Sequence, residues 1–216
     1  LTQGRFMRDM NLKEFKTLFT GNIEMPMAEK VKILNNVGDI LVTKYGGDWI
    51  NFIEDGPKKL YDNGKGLVER LVRDFKRFDD HSIFENEKVY FLKLAQLAFW
   101  GIHRELSKRY FYIEDMENMT AFADYIIPVA LESFGIVKYS SELKEKIDSG
   151  ILIDKDSTEE IEIRSTSIYA TAKLTELINN YKKAEEKIII PQLDFKIWTD
   201  FHADERPHHL TKTIMY

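Results

Sequence analysis

Lys93, Gln96 and Trp100 follow one another at helical spacing, so a cation, an amide and an aromatic surface share one stripe of a helix. Such a stripe can form a pocket wall. The structural alternative is a lysine snorkelling at the edge of a core, and from spacing alone it is the simpler reading. A second candidate lies in TAFADYIIPVA, residues 120–130, where Asp124 stands four residues before Pro128. Proline has no N–H to return to the carbonyl of Asp124, so the chain must bend or begin a new helix there. A carboxylate between Phe122 and Tyr125 is then either the cap of that helix or a working group. As a working group it suits glycosidic cleavage, where a carboxylate steadies an oxocarbenium-like state or orients water. Chemistry alone leaves both readings of Asp124 open.

Other candidates are weaker. Asp194 and Trp198 are four apart and share a helix face; a cap and a core anchor are the structural alternative. Glu162 and Arg164 are two apart, so on a helix they face different ways, as solvated groups or partners of other helices. His209, Lys212 and Tyr216 can converge on a phosphate, or belong to a frayed terminus. His202, His208 and His209 match no standard metal spacing, and a solvated tail is the better reading. No Gly-rich phosphate loop and no HExxH motif is present.

The elements that must position these groups read as helices. NLKEFKTLF has Asn11 as a cap and Gly21 beyond its end. Pro26 opens a helix that repeats Val31, Leu34, Val37, Leu41 and Tyr45 and stops at Gly46–Gly47. GLVERLVRDF repeats Leu67, Leu71 and Phe75. KVYFLKLAQLAFWGIHREL reads as the longest strong helix, with Leu92, Ala95, Phe99, Ile102 and Leu106 on one face. After Asp124 comes a helix end, a turn at Gly135, and a short helix from Ser140 or Ser141. Ser157 and Glu160 stand at capping-box spacing. The alternation in IEIRS suggests a strand, but the longer run Ile161, Ser165, Ile168, Ala172 favours helix. IIIPQLDFKIWTDF and a His-rich tail follow. No repeat, low-complexity linker or domain boundary is visible, and the fold class is all-α.

The 216 residues suffice for one sizeable core or two small ones. A formal charge of −5 argues against a general nucleic-acid binder, yet leaves room for a small phosphorylated ligand. With no cysteine there is no disulfide framework, thiol nucleophile or cysteine-based zinc site. No apolar run is long enough to span a bilayer and no signal peptide is visible, so the default location is the cytoplasm. The chain opens on Leu1, and LTQGRF reads as the middle of something, with residues expected upstream.

FLKLAQL, MTAFADYIIPVALESFGIVKYSSEL, EEIEIRSTSIYA, LDFKIW and PHHLTKTIMY occur in this order, preceded by AEKVKILNNVGDILVTKYGG. Together they resemble the queuosine salvage protein family, the queuosine 5′-phosphate N-glycosylases, from about residue 20 onward. FADY, then a proline, then G-x-x-x-Y is the most specific part. The resemblance implies a single helical domain over 1–216, similar to the helix-hairpin-helix DNA glycosylases and lacking an N-terminal segment. That segment would carry an aromatic stretch and a Gly–Ser–Leu helix. It implies hydrolysis of the N-glycosidic bond of queuosine 5′-monophosphate, releasing queuine for tRNA modification, without a cofactor or metal. The family's lysine falls on Lys93 and its aspartate on Asp124, which the resemblance makes the catalytic pair. Trp100 or Tyr125 would stack on the base, and Arg164, His209 or Lys212 would meet the phosphate. Glu162, Asp194 and Trp198 complete the candidate substrate contacts. A free mononucleotide needs no base flipping, so no direct nucleic-acid contact and no membrane contact is expected. Ile126 stands where the family usually has arginine, and Leu210 and Lys212 replace two arginines near the end; lysine keeps the charge but not the bidentate fork. The alternatives are a relative that binds without turnover and a DNA base-excision glycosylase, the latter opposed by the acidic composition.

Overall fold

The computed structural model describes residues 3–20, 26–107 and 111–216. Gly21, expected to close the helix after Asn11, lies outside them. The chain falls into two compact units, Leu1–Asp79 and Asp80–Tyr216. Among the described residues the architecture is almost entirely helical, with one small two-stranded sheet.

The first unit holds α1 (Gly4–Asp9), α2 (Leu12–Lys16), α3 (Met27–Tyr45), α4 (Trp49–Glu54) and α5 (Leu67–Asp74). Asn11 caps α2 with a reciprocal capping box to Glu14. Pro26 precedes α3, and Gly46 ends it at φ 62°, a left-handed conformation that glycine adopts without a Cβ clash. α1 crosses α3 at Gly38, where a Cβ would stand 2.2 Å from the Arg8 nitrogen. Asn35 fastens the same contact by donating to the carbonyls of Met7, Arg8 and Met10.

The second unit begins with a hairpin, β1 (His81–Phe84) and β2 (Glu87–Tyr90), paired antiparallel from His81↔Tyr90 to Phe84↔Glu87. Glu85 and Asn86, at φ 49° and 67°, form the two-residue turn whose twist suits a hairpin. Lys88, Val89 and Tyr90 therefore belong to a strand, a correction to the long helix expected there. Leu92, at φ 51°, breaks the chain direction, and α6 starts only at Lys93 and runs to Leu106. Leu92 is thus not helical, and Leu106 is exposed rather than part of a core face. Ala95 and Phe99 are buried as expected.

α7 (Ile126–Ser133), α8 (Ser141–Asp148), α9 (Thr158–Asn180) and α10 (Ile190–Phe201) complete the unit. α7 packs against α9 and α10, and Ile127, Ala130, Leu131 and Ile197 form a core there. Gly135, at φ 69°, turns the chain after α7, and Ser140 caps α8. α9 is helical throughout, as the longer periodicity requires, with Ser157 Oγ accepting the Glu160 N–H at 3.3 Å. At 23 residues it is longer than α6 at 14, which corrects the ranking expected from sequence. Its buried side is also more polar than expected. Glu160, Arg164, Ser167, Thr171 and Thr175 are buried, whereas Ser165, Ile168 and Ala172 are half-buried. Small hydroxyls can line a core because they bond back along the helix: Ser167 to the Ile163 carbonyl and Thr175 to the Thr171 carbonyl. The tail is not wholly solvated either. Leu210 bridges Leu152 in parallel and accepts the Ile153 N–H at 2.8 Å, which buries the neighbouring His209 to 2% exposure. No helix among the described residues is long and apolar enough to cross a membrane.

Candidate active site

The stretch 120–124 runs between α6 and α10 and is held from both sides. Gln96, on α6, accepts the Thr120 N–H at 2.8 Å and donates to Thr120 Oγ1 at 2.9 Å and to the Phe91 carbonyl at 3.2 Å. Asp194, on α10, accepts the Phe122 N–H at 2.8 Å. The chain is therefore fixed where it arrives at Asp124. α7 then starts with Pro128 in its first turn, where the missing N–H costs no helical bond. Asp124 Oδ1 accepts the N–H groups of Ile126 and Ile127 at 2.9 and 3.1 Å, so it is the cap of α7.

Capping uses one oxygen. The other, Oδ2, faces Lys93 Nζ at 4.0 Å. Lys93 is the first residue of α6, and its side chain and that of Asp124 line one cavity of about 400 Å³. Leu97, Phe122, Tyr125, Phe195, Trp198, Tyr216 and the second acid, Asp194, complete its wall. The lining is mostly apolar and aromatic with a few convergent charges, the usual make-up of a small-molecule site.

Burial governs the charges. It pushes the Asp124 carboxyl up from the ordinary aspartate value, and the Lys93 charge and the two backbone donors only partly oppose it. Burial likewise lowers the Lys93 ammonium, against the pull of Asp124 and Asp194. Asp194 is pushed up to about 7, first by burial and further by the charge of Asp124. Two acids and one lysine thus share a site in which burial favours the neutral form of each.

Six sequence candidates meet on this cavity: Lys93, Asp124, Tyr125, Asp194, Trp198 and Tyr216. The other candidates stand elsewhere. Gln96 is a strut, not a pocket wall, because both ends of its amide are spent on Phe91 and Thr120. Trp100 is buried and borders a separate surface hollow with Arg104 and Gln192. Glu162 points into a different small cavity, beside Tyr139 and Ser140. Arg164 is buried with its guanidinium bonded to Asp80. His209 and Tyr216 do converge, with Tyr216 Oη 3.4 Å from His209 Nε2, while Lys212 is exposed. Burial holds His209 down to about 4, so it is neutral at physiological pH. Leu97 and Phe195 were missed, although Leu97 is one turn from Lys93 and Phe195 adjoins Asp194. Asp80 was missed for want of any local signal.

Fold and site together define a helical protein whose buried acid–lysine pair opens into an apolar pocket. The chain belongs to the queuosine salvage protein family, whose model matches residues 1–216. It is similar to proteins named queuosine 5′-phosphate N-glycosylase/hydrolase in several organisms. The mouse protein is 28% identical over all of this chain and 67% of its own length. The Bos taurus protein is 29% identical over all of this chain and 66% of its own length. The Dictyostelium discoideum protein is 30% identical over 88% of this chain and 58% of its own length. The chain thus spans about two thirds of the length of the mouse and bovine relatives.

Proposed function

We propose that this chain hydrolyses the N-glycosidic bond of queuosine 5′-monophosphate and releases queuine for reuse in tRNA modification. The observation that carries the reading is the pairing of Asp124 with Lys93 on one buried, mostly apolar cavity. The names of the relatives point to the same reaction.

In this reading the bond between ribose C1′ and the base nitrogen breaks, and positive charge develops on the sugar. Asp124, ionised and fixed by its two backbone donors, stabilises that charge and takes a proton from the attacking water. The hydroxide portion joins C1′ and the departing base gains a proton, so water is the only co-reactant. Lys93 favours the ionised form of Asp124, against the burial that favours its neutral form. Tyr125 and Trp198 offer aromatic faces to the base, and Asp194 bonds its polar edge. Lys212, an exposed cation of the tail that also supplies Tyr216 to the cavity, is assigned to the 5′-phosphate. Hydrolysis of this kind needs no cofactor. A Lys/Asp pair is also what the helix-hairpin-helix DNA glycosylases use, and we place this helical fold beside theirs. Both units serve one glycosylase-like domain in this reading, since the family match spans the two. A free nucleotide substrate fits a cytoplasmic enzyme that touches neither membrane nor nucleic acid.

The test is incubation of the protein with queuosine 5′-monophosphate and detection of free queuine by mass spectrometry, with Asp124→Asn in parallel. Release by the wild type and loss in the variant is the expected result. Release by both would remove Asp124 from its role. Release by neither, from folded protein, would leave a nucleotide-binding relative without turnover.

A further inference from the structure

Arg164 is 1% exposed and does not itself line the cavity. Its Nη1 and Nη2 donate to Asp80 Oδ1 and Oδ2 at 2.9 and 2.6 Å, a two-bond fork. Glu160 Oε1 stands 3.6 Å from Nη1. Phe91 covers one side of the guanidinium at 3.9 Å and the ring of Tyr216 lies over it at 4.5 Å. Fork and rings leave Arg164 a single orientation.

Asp80, in turn, holds the start of α6. Its carbonyl accepts the N–H groups of Phe91 and Leu92 at 3.0 and 3.1 Å. Its Oδ2 accepts the Lys93 N–H at 3.3 Å. Three consecutive backbone donors therefore rest on one residue, around the left-handed Leu92, a conformation that costs a non-glycine residue free energy and persists only when its surroundings impose it. Where α6 begins decides where the Lys93 ammonium stands. Within a buried site, the influence of that ammonium on Asp124 depends directly on their separation.

We infer that Arg164, acting through Asp80, is a positioning residue that sets the place of Lys93 against Asp124. This rests on the N-glycosylase reading for its effect on turnover, but not for its effect on the charge state of Asp124. The charged groups acting on Asp124 are Lys93, Arg164 and Asp194.

Arg164→Lys keeps the positive charge and removes the fork. Asp80→Asn keeps the shape and removes a negative charge, so direct electrostatics alone would lower the titration of Asp124. Loss of positioning would raise it in both variants, because Lys93 would no longer stand close. The expected result is a fall in kcat of about tenfold to a hundredfold, with KM changed much less, and an acid limb of the kcat–pH profile displaced to higher pH. Carboxyl-carbon NMR of Asp124 should show the same upward displacement without any substrate. Variants that fold, even with a lowered Tm, but keep wild-type kcat and an unmoved Asp124 titration would overturn the assignment. If Arg164→Lys does not fold, Asp80→Asn carries the test. If the wild type releases no queuine, the functional reading fails, and the NMR titration still decides the positioning role.

Discussion

Asp194 and Asp124 approach the same cavity from two different elements, and each is tied down by backbone N–H groups: Asp194 by Phe122, Asp124 by Ile126 and Ile127. The short stretch between Phe122 and Asp124 is thereby fixed at both ends. Burial raises both carboxyls, and the charge of Asp124 raises Asp194 further, to about 7.

In the proposed reaction Asp124 has two duties that substitution can separate. Asp124→Asn keeps an oxygen for the α7 cap, so Tm should change little, while turnover should fall by about a hundredfold or more. Asp124→Ala loses the cap as well and should cost about 1 kcal/mol of stability in denaturant melts. Equal stability of the two variants would deny the capping role.

Turnover should have an acid limb above the ordinary aspartate range of about 3.9, because burial raises the Asp124 carboxyl. Lys93→Met removes the opposing charge and should move that limb higher still. Steady-state kcat measured from pH 4 to 8 gives the answer, and a limb that moves down would contradict the arrangement.

Stability should respond to pH through two buried groups with opposite signs. Asp194 titrates at about 7 in the folded chain against 3.8 as its ordinary value, so the folded state binds the extra proton and the resulting stability is lost as pH rises from about 4 to about 7. His209 titrates at about 4 against 6.5, so its contribution is present above 6.5 and lost as pH falls to about 4. At about 1.4 kcal/mol per pH unit, the first is worth roughly 4 kcal/mol and the second roughly 3 kcal/mol. In urea melts, Asp194→Asn should flatten the decline toward high pH, and His209→Gln should flatten the decline toward low pH. Parallel profiles for the two variants and the wild type would refute both.

Tyr125 and Trp198 are each 40% exposed, a large aromatic surface left open on the cavity wall. Replacing either by Ala should raise KM by about tenfold with a smaller change in kcat, since stacking on a base contributes about 1–3 kcal/mol. Trp100→Phe should leave KM unchanged, because Trp100 does not line this cavity. Initial-rate kinetics on the three variants distinguishes them.

The sequence by itself determined the helical class, the caps at Asn11, Ser140 and Ser157, the stops at Gly46 and Gly135, and the new helix near Asp124. These are local effects: a hydroxyl or amide within three residues, a left-handed glycine, a proline without a donor. The pairing of Lys93 with Asp124 entered through family resemblance, since spacing left both readings open. Only the tertiary structure decided the rest. The β-hairpin replaced the first turn of an expected helix because Glu85 and Asn86 adopt a turn that apolar periodicity does not register. His209 became buried because Leu210 pairs with Leu152, some sixty positions earlier in the chain. Arg164 left the candidate phosphate contacts for Asp80, and Gln96 left the pocket wall for Thr120. The last three turn on hydrogen bonds between residues far apart in sequence. A burial pattern can show that a polar group lies inside, but only the folded chain supplies the partner that makes its burial tolerable.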